Sequence, residues 1–204
     1  MNSVNRQMRL AARPAGLPEP SDWELTTEPV PAPGPGEFVV AISYLSIDPI
    51  MRRLIDAAYR APVAIGAVME AGAVGQVTAS EHPGFAVGEH VYGGFGVQEF
   101  ARSDGTGVTR LDPLLAPLPA YLGALGIPGL TAYFGLLEVG RPREGETVVI
   151  SGAAGGVGSV AGQIAKIRRC RVIGIAGRPD KCRWVVSGLG FDAAIDARAA
   201  ISSR

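Results

Sequence analysis

One segment limits the fold of this chain more than any other. From Thr147 a short apolar run, TVVIS, passes through the glycine-rich turn Gly152-Ala-Ala-Gly-Gly-Val-Gly158 into a helical pattern. Over Ser159–Arg169 the apolar residues Val160, Ile164 and Ile167 recur at i, i+4 and i+7, the period of one helix face. An apolar run as short as TVVIS suits a buried strand of a parallel sheet. Arg171–Ala176 (RVIGIA) reads as a second strand, Asp180–Ser187 as a second helix, and Ala193–Asp196 as the start of a third strand. In that context the glycines acquire physical roles. Gly155 and Gly156 let the backbone approach a pyrophosphate, and Gly158 lets the helix pack tightly on the strand. The exposed N–H groups of the first turn and the helix dipole then favour phosphate charge. Ala153 stands where the common fingerprint has its first glycine, so the turn is a variant, and a plain tight turn is the competing reading.

The end of the second strand selects between dinucleotides. An NAD site places Asp or Glu there for the ribose hydroxyls. Here the residues are Ala176, Gly177, Arg178, Pro179, Asp180 and Lys181. Arg178 and Lys181 can contact a 2′-phosphate, which fits NADP better, although two solvated cations in a loop would look the same. Asp180 keeps an acid-based site open, but its position suits a helix N-cap.

Ahead of this segment the chain reads differently. Glu37–Tyr44 (EFVVAISY) follows the breaker PAPGPG and is β-branched and aromatic, as in a strand. Val68–Ala79, Pro83–Tyr92 and Gly96–Ala101 continue a pattern of short strands with glycine at the bends, which predicts a small, partly open barrel. Near Asp112 the character shifts to helical pieces broken by Pro and Gly, with Leu130–Val139 the clearest helix. With 47% hydrophobic and 19% charged residues the composition is that of a folded globular protein. Nineteen Lys+Arg against nineteen Asp+Glu leave no net charge, which argues against a nucleic-acid surface. No apolar run reaches membrane-spanning length, and the N-terminal MNSVNRQMRLAARPAG lacks the apolar core of a secretory signal. Two cysteines make neither a disulfide framework nor a four-thiolate zinc site. A cytoplasmic location is expected. His82 and His90 have no Cys or second His at ligand spacing, so no metal is expected.

The stretches LSIDPIMRR (Leu45–Arg53), AYRAPVAIGAVMEAGAVGQV (Ala58–Val77), HPGFAVGEHVYG (His82–Gly93), PGLTAYFGLLEVG (Pro128–Gly140), GAAGGVGSVAGQIAK (Gly152–Lys166) and GLGFDAAID (Gly188–Asp196) resemble the zinc-independent medium-chain dehydrogenase/reductase family. Within it they are most similar to the NADPH-dependent alkenal and prostaglandin/leukotriene reductases. The resemblance implies an α/β plus β fold: a GroES-like, partly open β-barrel over residues 1–118, then the N-terminal half of a Rossmann NADP-binding domain over residues 119–204, an incomplete parallel sheet. It implies hydride transfer from NADPH to the β-carbon of an α,β-unsaturated ketone or aldehyde. Carried over residue by residue, Gly155, Gly156, Val157, Gly158 and Lys181 would contact the dinucleotide. Thr131 and Tyr133 would lie near the nicotinamide, and Tyr59 would be the hydroxyl donor at the substrate. Asp48, before Pro49, reads as a turn residue.

Three positions depart from the family pattern. Ile50 stands for the tyrosine of DPYMR, Val97 for the tryptophan of GWQEY, and Ala197 for a tyrosine near the adenosine ribose. The stretch from Thr147 to Arg204 accommodates three strands and two helices where a whole Rossmann sheet has six strands. The chain is therefore expected to be an N-terminal portion of such an enzyme, with an unpaired edge at Val148–Ile150, weak NADPH binding and poor turnover by itself. The family forms homodimers, and the dimer-forming edge is expected to lie outside this sequence. A quinone reductase of the same superfamily and a non-catalytic remnant or binding module are the competing readings.

Overall fold

The computed structural model describes residues 4–202, with side chains through Ala199. Met1–Ser3, the start of the segment read against a secretory signal, and Ser203–Arg204 lie outside the described residues. The chain divides into two compact units, one ending at Leu122 and the other beginning at Gly123.

In the first unit, β1 (Val4–Leu10) and β2 (Trp23–Pro29) pair as an antiparallel hairpin, from Val4 opposite Pro29 to Leu10 opposite Trp23. β3 (Phe38–Leu45), the short helix α1 (Ile50–Leu54), β4 (Ala73–Ser80), β5 (His90–Gly93), β6 (Phe100–Ser103) and β7 (Thr109–Leu111) follow. The last five strands form one antiparallel sheet in the order β6-β3-β4-β5-β7. The β3–β4 register shifts at Val39/Val40 and again at Ile42/Tyr44, and such bulges bend a strand. Gly75 sits opposite that irregular stretch, where a Cβ would come within 2.2 Å of the Ala41 carbonyl oxygen, so only glycine fits. Phe38, Val40, Ala73, Val77, Phe85, Val91, Phe95 and Ala101 form the core of this sheet.

The β1–β2 hairpin escapes the sequence pattern because β1 turns polar side chains inward. Asn5 is 1% exposed and Gln7 is buried, while Val4 points out. The Asn5 amide donates to Gln98 Oε1 (3.1 Å) and to the Phe100 carbonyl (2.8 Å). Its Oδ1 accepts the N–H groups of Glu99 (3.1 Å) and Phe100 (2.9 Å). All its hydrogen-bonding capacity is met, so a buried amide here ties the hairpin to the segment before β6 at no desolvation deficit.

In the second unit, α2 (Ile127–Tyr133) runs into a π-helical stretch, Phe134–Gly140, which ends at Arg141 in the left-handed region. The helix read over Leu130–Val139 thus begins earlier and widens at Phe134. Next come β8 (Thr147–Ser151), α3 (Gly156–Ile167), β9 (Arg171–Ala176), α4 (Pro179–Ser187), β10 (Ala193–Asp196) and α5 (Ala197–Ser202). The three strands are parallel in the order β10-β9-β8, and among the described residues β8 pairs with β9 alone. The expected α/β plus β class and the parallel sheet are what the structure has.

The buried face of α3 differs from the expected one. Gly158, Gly162 and Ala165 are buried, at the same i, i+4, i+7 spacing, whereas Ile167 is 78% exposed. Small residues win because the helix lies close to the sheet. A Cβ at Gly162 would stand 1.9 Å from the Phe191 ring, which fills the space beneath the helix together with Ile150, Val172 and Val185. Lys166 and Asp192 clamp the far end: Lys166 Nζ donates to both Asp192 oxygens at 2.8 and 2.9 Å, and Asp192 Oδ2 accepts the Val172 N–H at 2.6 Å. These hydrogen bonds, Lys166 first, hold the Asp192 carboxyl below the usual carboxylate range.

Gly162→Ala is expected to destabilise the chain by about 1–3 kcal/mol through overpacking, read as a lower urea midpoint. Phe191→Leu in the same chain is expected to restore part of that loss. An unchanged midpoint in Gly162→Ala would contradict the packing described.

Candidate functional site

The turn between β8 and α3 is set by backbone geometry. Gly152 adopts φ +60°, a conformation open to glycine, and its carbonyl accepts the Gly155 N–H at 2.8 Å. Ala153, fully buried, ties the turn to β9 through its N–H to the Ile175 carbonyl at 3.1 Å. The methyl of this variant position thus belongs to the core. Gly155 is the extended N-cap of α3 and offers no side chain to the helix end. The first intrahelical bond runs from the Ser159 N–H to the Gly155 carbonyl (3.0 Å). The N–H groups of Gly156, Val157 and Gly158 precede it and have no partner within the helix.

Two glycines of the turn answer to different demands. At Gly158, which is buried, a Cβ would meet the Gly152 carbonyl oxygen at 2.4 Å, so internal packing excludes any side chain. At Gly156, which is exposed, a Cβ would touch only Pro128 at an ordinary 3.5 Å. The fold alone does not require glycine there. No acidic residue occupies the first turn of α3. Unpartnered N–H groups, a helix of twelve residues, a bare exposed glycine and no competing carboxylate fit a pyrophosphate.

The other site residues are placed as follows. Arg178 is the N-cap of α4 and grips Asp180 with both ends of its fork, Nε to Oδ1 at 3.0 Å and Nη2 to Oδ2 at 2.5 Å. Asp180 is therefore in the first turn of α4 as the partner of Arg178, and the N-cap position read for it belongs to Arg178. The Arg178 hydrogen bond holds the Asp180 carboxyl down to about 2. Lys181 is exposed and has no ion-pair partner among the described residues. On α2, the Thr131 hydroxyl donates to the Ile127 carbonyl at 2.7 Å, which leaves its oxygen free to accept. Tyr133 is 47% exposed, edge-on to Phe134 at 5.3 Å. Thr131, Tyr133, Gly155, Gly156, Val157, Gly158, Arg178 and Lys181 all belong to the second unit.

Tyr59 belongs to the first unit, in the loop after α1. Its N–H donates to the Asp56 carbonyl (3.1 Å), and the Arg53 guanidinium lies 5.4 Å from its ring centroid. Asp48 Oδ2 accepts the Ser46 hydroxyl at 2.6 Å, as suits a turn residue. His82 packs edge-on against Phe38 and Phe85, and its Nδ1 accepts the Gly84 N–H at 2.9 Å. Sequence reading did not find the Arg178–Asp180 fork. The residues were in view, and only the backbone turn at Pro179 brings them face to face.

Comparison with known proteins bears on this geometry. A family described as the N-terminal domain of oxidoreductase matches residues 6–111. The chain is 44% identical over 197 residues to an NADPH-dependent curcumin reductase of Escherichia coli, covering 96% of this chain and 57% of that protein. It is 38% identical over 199 residues to an NADP(+)-dependent 2-alkenal reductase of Nicotiana tabacum, covering 94% and 58%. The crystal structure of CurA in complex with NADPH from Vibrio vulnificus superposes with a TM-score of 0.89 at 46% identity, covering 96% of this chain and 58% of that one. The chain spans less than two thirds of the length of each.

The Arg178–Asp180 pair has a pH signature. A carboxyl whose folded value lies near 2 against an ordinary 3.8 adds stability that is present above the ordinary value and lost as pH falls through the folded one. In Asp180→Asn the thermal midpoint is expected to fall less steeply than in the unsubstituted chain between pH 4 and pH 2. Parallel curves for the two proteins would contradict the pairing.

Proposed function

This chain belongs to the zinc-independent medium-chain dehydrogenase/reductase family of oxidoreductases, and from that premise we propose that it takes part in the NADPH-dependent reduction of the C=C bond of α,β-unsaturated aldehydes and ketones. The observation that carries the reading is the β8–α3 turn, whose free N–H groups and bare glycine suit a pyrophosphate. In this reading NADPH, when bound, supplies a hydride to the β-carbon of the enone. Backbone N–H groups of Gly156, Val157 and Gly158 hold the pyrophosphate, with Gly155 keeping the approach open. Arg178 and Lys181 hold the 2′-phosphate. Thr131 and Tyr133 line the nicotinamide end. Tyr59 donates its hydroxyl proton in a hydrogen bond to the carbonyl oxygen, which gains charge as the enolate forms. Water then protonates the α-carbon. Relatives named as curcumin and 2-alkenal reductases support the substrate class.

Arg178 has to exchange one anion for another in this scheme. Asp180 holds the guanidinium in place in the absence of phosphate, and a doubly charged 2′-phosphate accepts the same fork. The reading extends to a cytoplasmic homodimer. The free thiols of Cys170 and Cys182 support the compartment, and the family resemblance alone supports the dimer.

The test has two parts. NADPH is expected to bind more tightly than NADH, and Arg178→Ala to weaken NADPH by about tenfold, the scale of one charge-assisted contact, with NADH unchanged. Equal affinities for the two dinucleotides would overturn the assignment of Arg178. With trans-2-hexenal and NADPH the expected product is hexanal, formed slowly. An unsaturated alcohol as product, or no NADPH consumption by a chain that binds it, would overturn the proposed reaction.

A further inference from the structure

The 2′-phosphate position leaves a charge to be accounted for. A phosphate monoester carries about two negative charges near neutral pH. Of the two cations assigned to it, Arg178 already shares its charge with Asp180 through both ends of its fork, and Lys181 is the other.

The register of the parallel sheet brings a further cation to the same place. β9 and β10 are neighbours, and their last residues pair, Ala176 opposite Asp196. The two strands end side by side, about 4.8 Å apart. Arg178 and Arg198 each stand two residues beyond a member of that pair, one on the way into α4 and the other in α5. Arg198 is exposed, and its Nε lies 3.9 Å from the point that a Cβ of Gly177 would occupy. Its guanidinium therefore borders the residue that precedes Arg178. Asp196, the acid at the end of β10, is committed to the backbone: its Oδ1 accepts the N–H groups of Arg198 (2.9 Å) and Ala199 (3.4 Å). That carboxylate holds the start of α5, as an acid does at the head of a helix, and so fixes the stretch that carries Arg198.

We propose that Arg198 is a third cation of the 2′-phosphate site and a determinant of the choice of NADPH over NADH. The proposal rests on the reading of the β8–α3 turn as a dinucleotide site. A phosphate monoester has three terminal oxygens. The Arg178 fork, on leaving Asp180, takes two of them. Arg198, reaching over from the neighbouring strand end, takes the third and supplies the charge that Asp180 removes from Arg178.

Adenosine 2′,5′-bisphosphate and 5′-AMP differ only in the 2′-phosphate and lack the nicotinamide end, so their affinities, measured by calorimetry, read this corner directly. The unsubstituted chain is expected to prefer the bisphosphate. Arg198→Gln is expected to weaken the bisphosphate by about tenfold, the scale of one charge-assisted contact, and to leave AMP unchanged. Arg198→Lys keeps the charge and loses the fork, so a loss of about threefold is expected for the bisphosphate alone. No loss in Arg198→Gln, or the same loss for both nucleotides, would overturn the proposal, and a bisphosphate preference that Arg178→Ala abolishes would then leave the dinucleotide reading standing. No saturable binding of the bisphosphate, or no preference for it over AMP, would overturn that reading and the proposal together. Should Arg198→Gln fail to fold, Arg198→Lys decides: an undiminished affinity for the bisphosphate, or an equal loss for AMP, overturns the contact.

Discussion

Close approach of α3 to the strands beneath it is the condition on which the second unit depends. A helix with ordinary apolar side chains facing a sheet packs at about 10 Å. Here Gly158 and Gly162 remove those side chains, and Phe191 rises from below to take up the volume that Gly162 leaves. The same closeness seats the start of the helix on the Gly152 carbonyl, where a Cβ at Gly158 would be 2.4 Å away. The helix N-terminus is thereby fixed against the turn after β8, and its first N–H groups have no partner within the helix. Pre-organised donors of this kind cost little to aim at a bound anion. Packing and the proposed binding share one set of glycines, but only packing demands glycine at Gly158, whereas at Gly156 the fold alone does not.

Much of this unit was legible in the sequence, since the strand, turn and helix signals are local. TVVIS, RVIGIA and the Ala193–Asp196 strand appear as read. The face of α3 was not legible, because hydropathy assigns Val160, Ile164 and Ile167 to the core while the distance to the sheet selects Gly158, Gly162 and Ala165. Periodicity reports which residues are apolar, and only tertiary contact reports how near the neighbour stands. The β1–β2 hairpin was hidden for the opposite reason. Its inward residues Asn5 and Gln7 are polar, and their burial is balanced by partners some ninety positions away, Gln98 among them.

The candidate site shows the same division. Glycine spacing and the cations after β9 are the sequence basis for the proposed pyrophosphate and 2′-phosphate positions. That Arg178 already holds a carboxylate is a matter of side-chain geometry, and it changes the electrostatics: the guanidinium is pre-positioned, and its free charge is reduced. A Met-lined cavity of the first unit is likewise invisible in the pattern, because Met8, Met51 and Met69 come from a strand, a helix and a loop far apart in the chain. The substitution of Val97 for the family tryptophan was visible, and its structural counterpart is a wall position in that cavity.

The central claim is that the backbone N–H groups at the start of α3 hold the pyrophosphate of a dinucleotide. Amide ¹H–¹⁵N spectra of the labelled chain with unlabelled NADPH test it most directly. The account predicts the largest shift changes at the amides of Gly156, Val157 and Gly158, saturating together with those of the Arg178–Lys181 segment. Saturable changes that leave those three amides in place, in a chain whose other resonances show it folded, would contradict it.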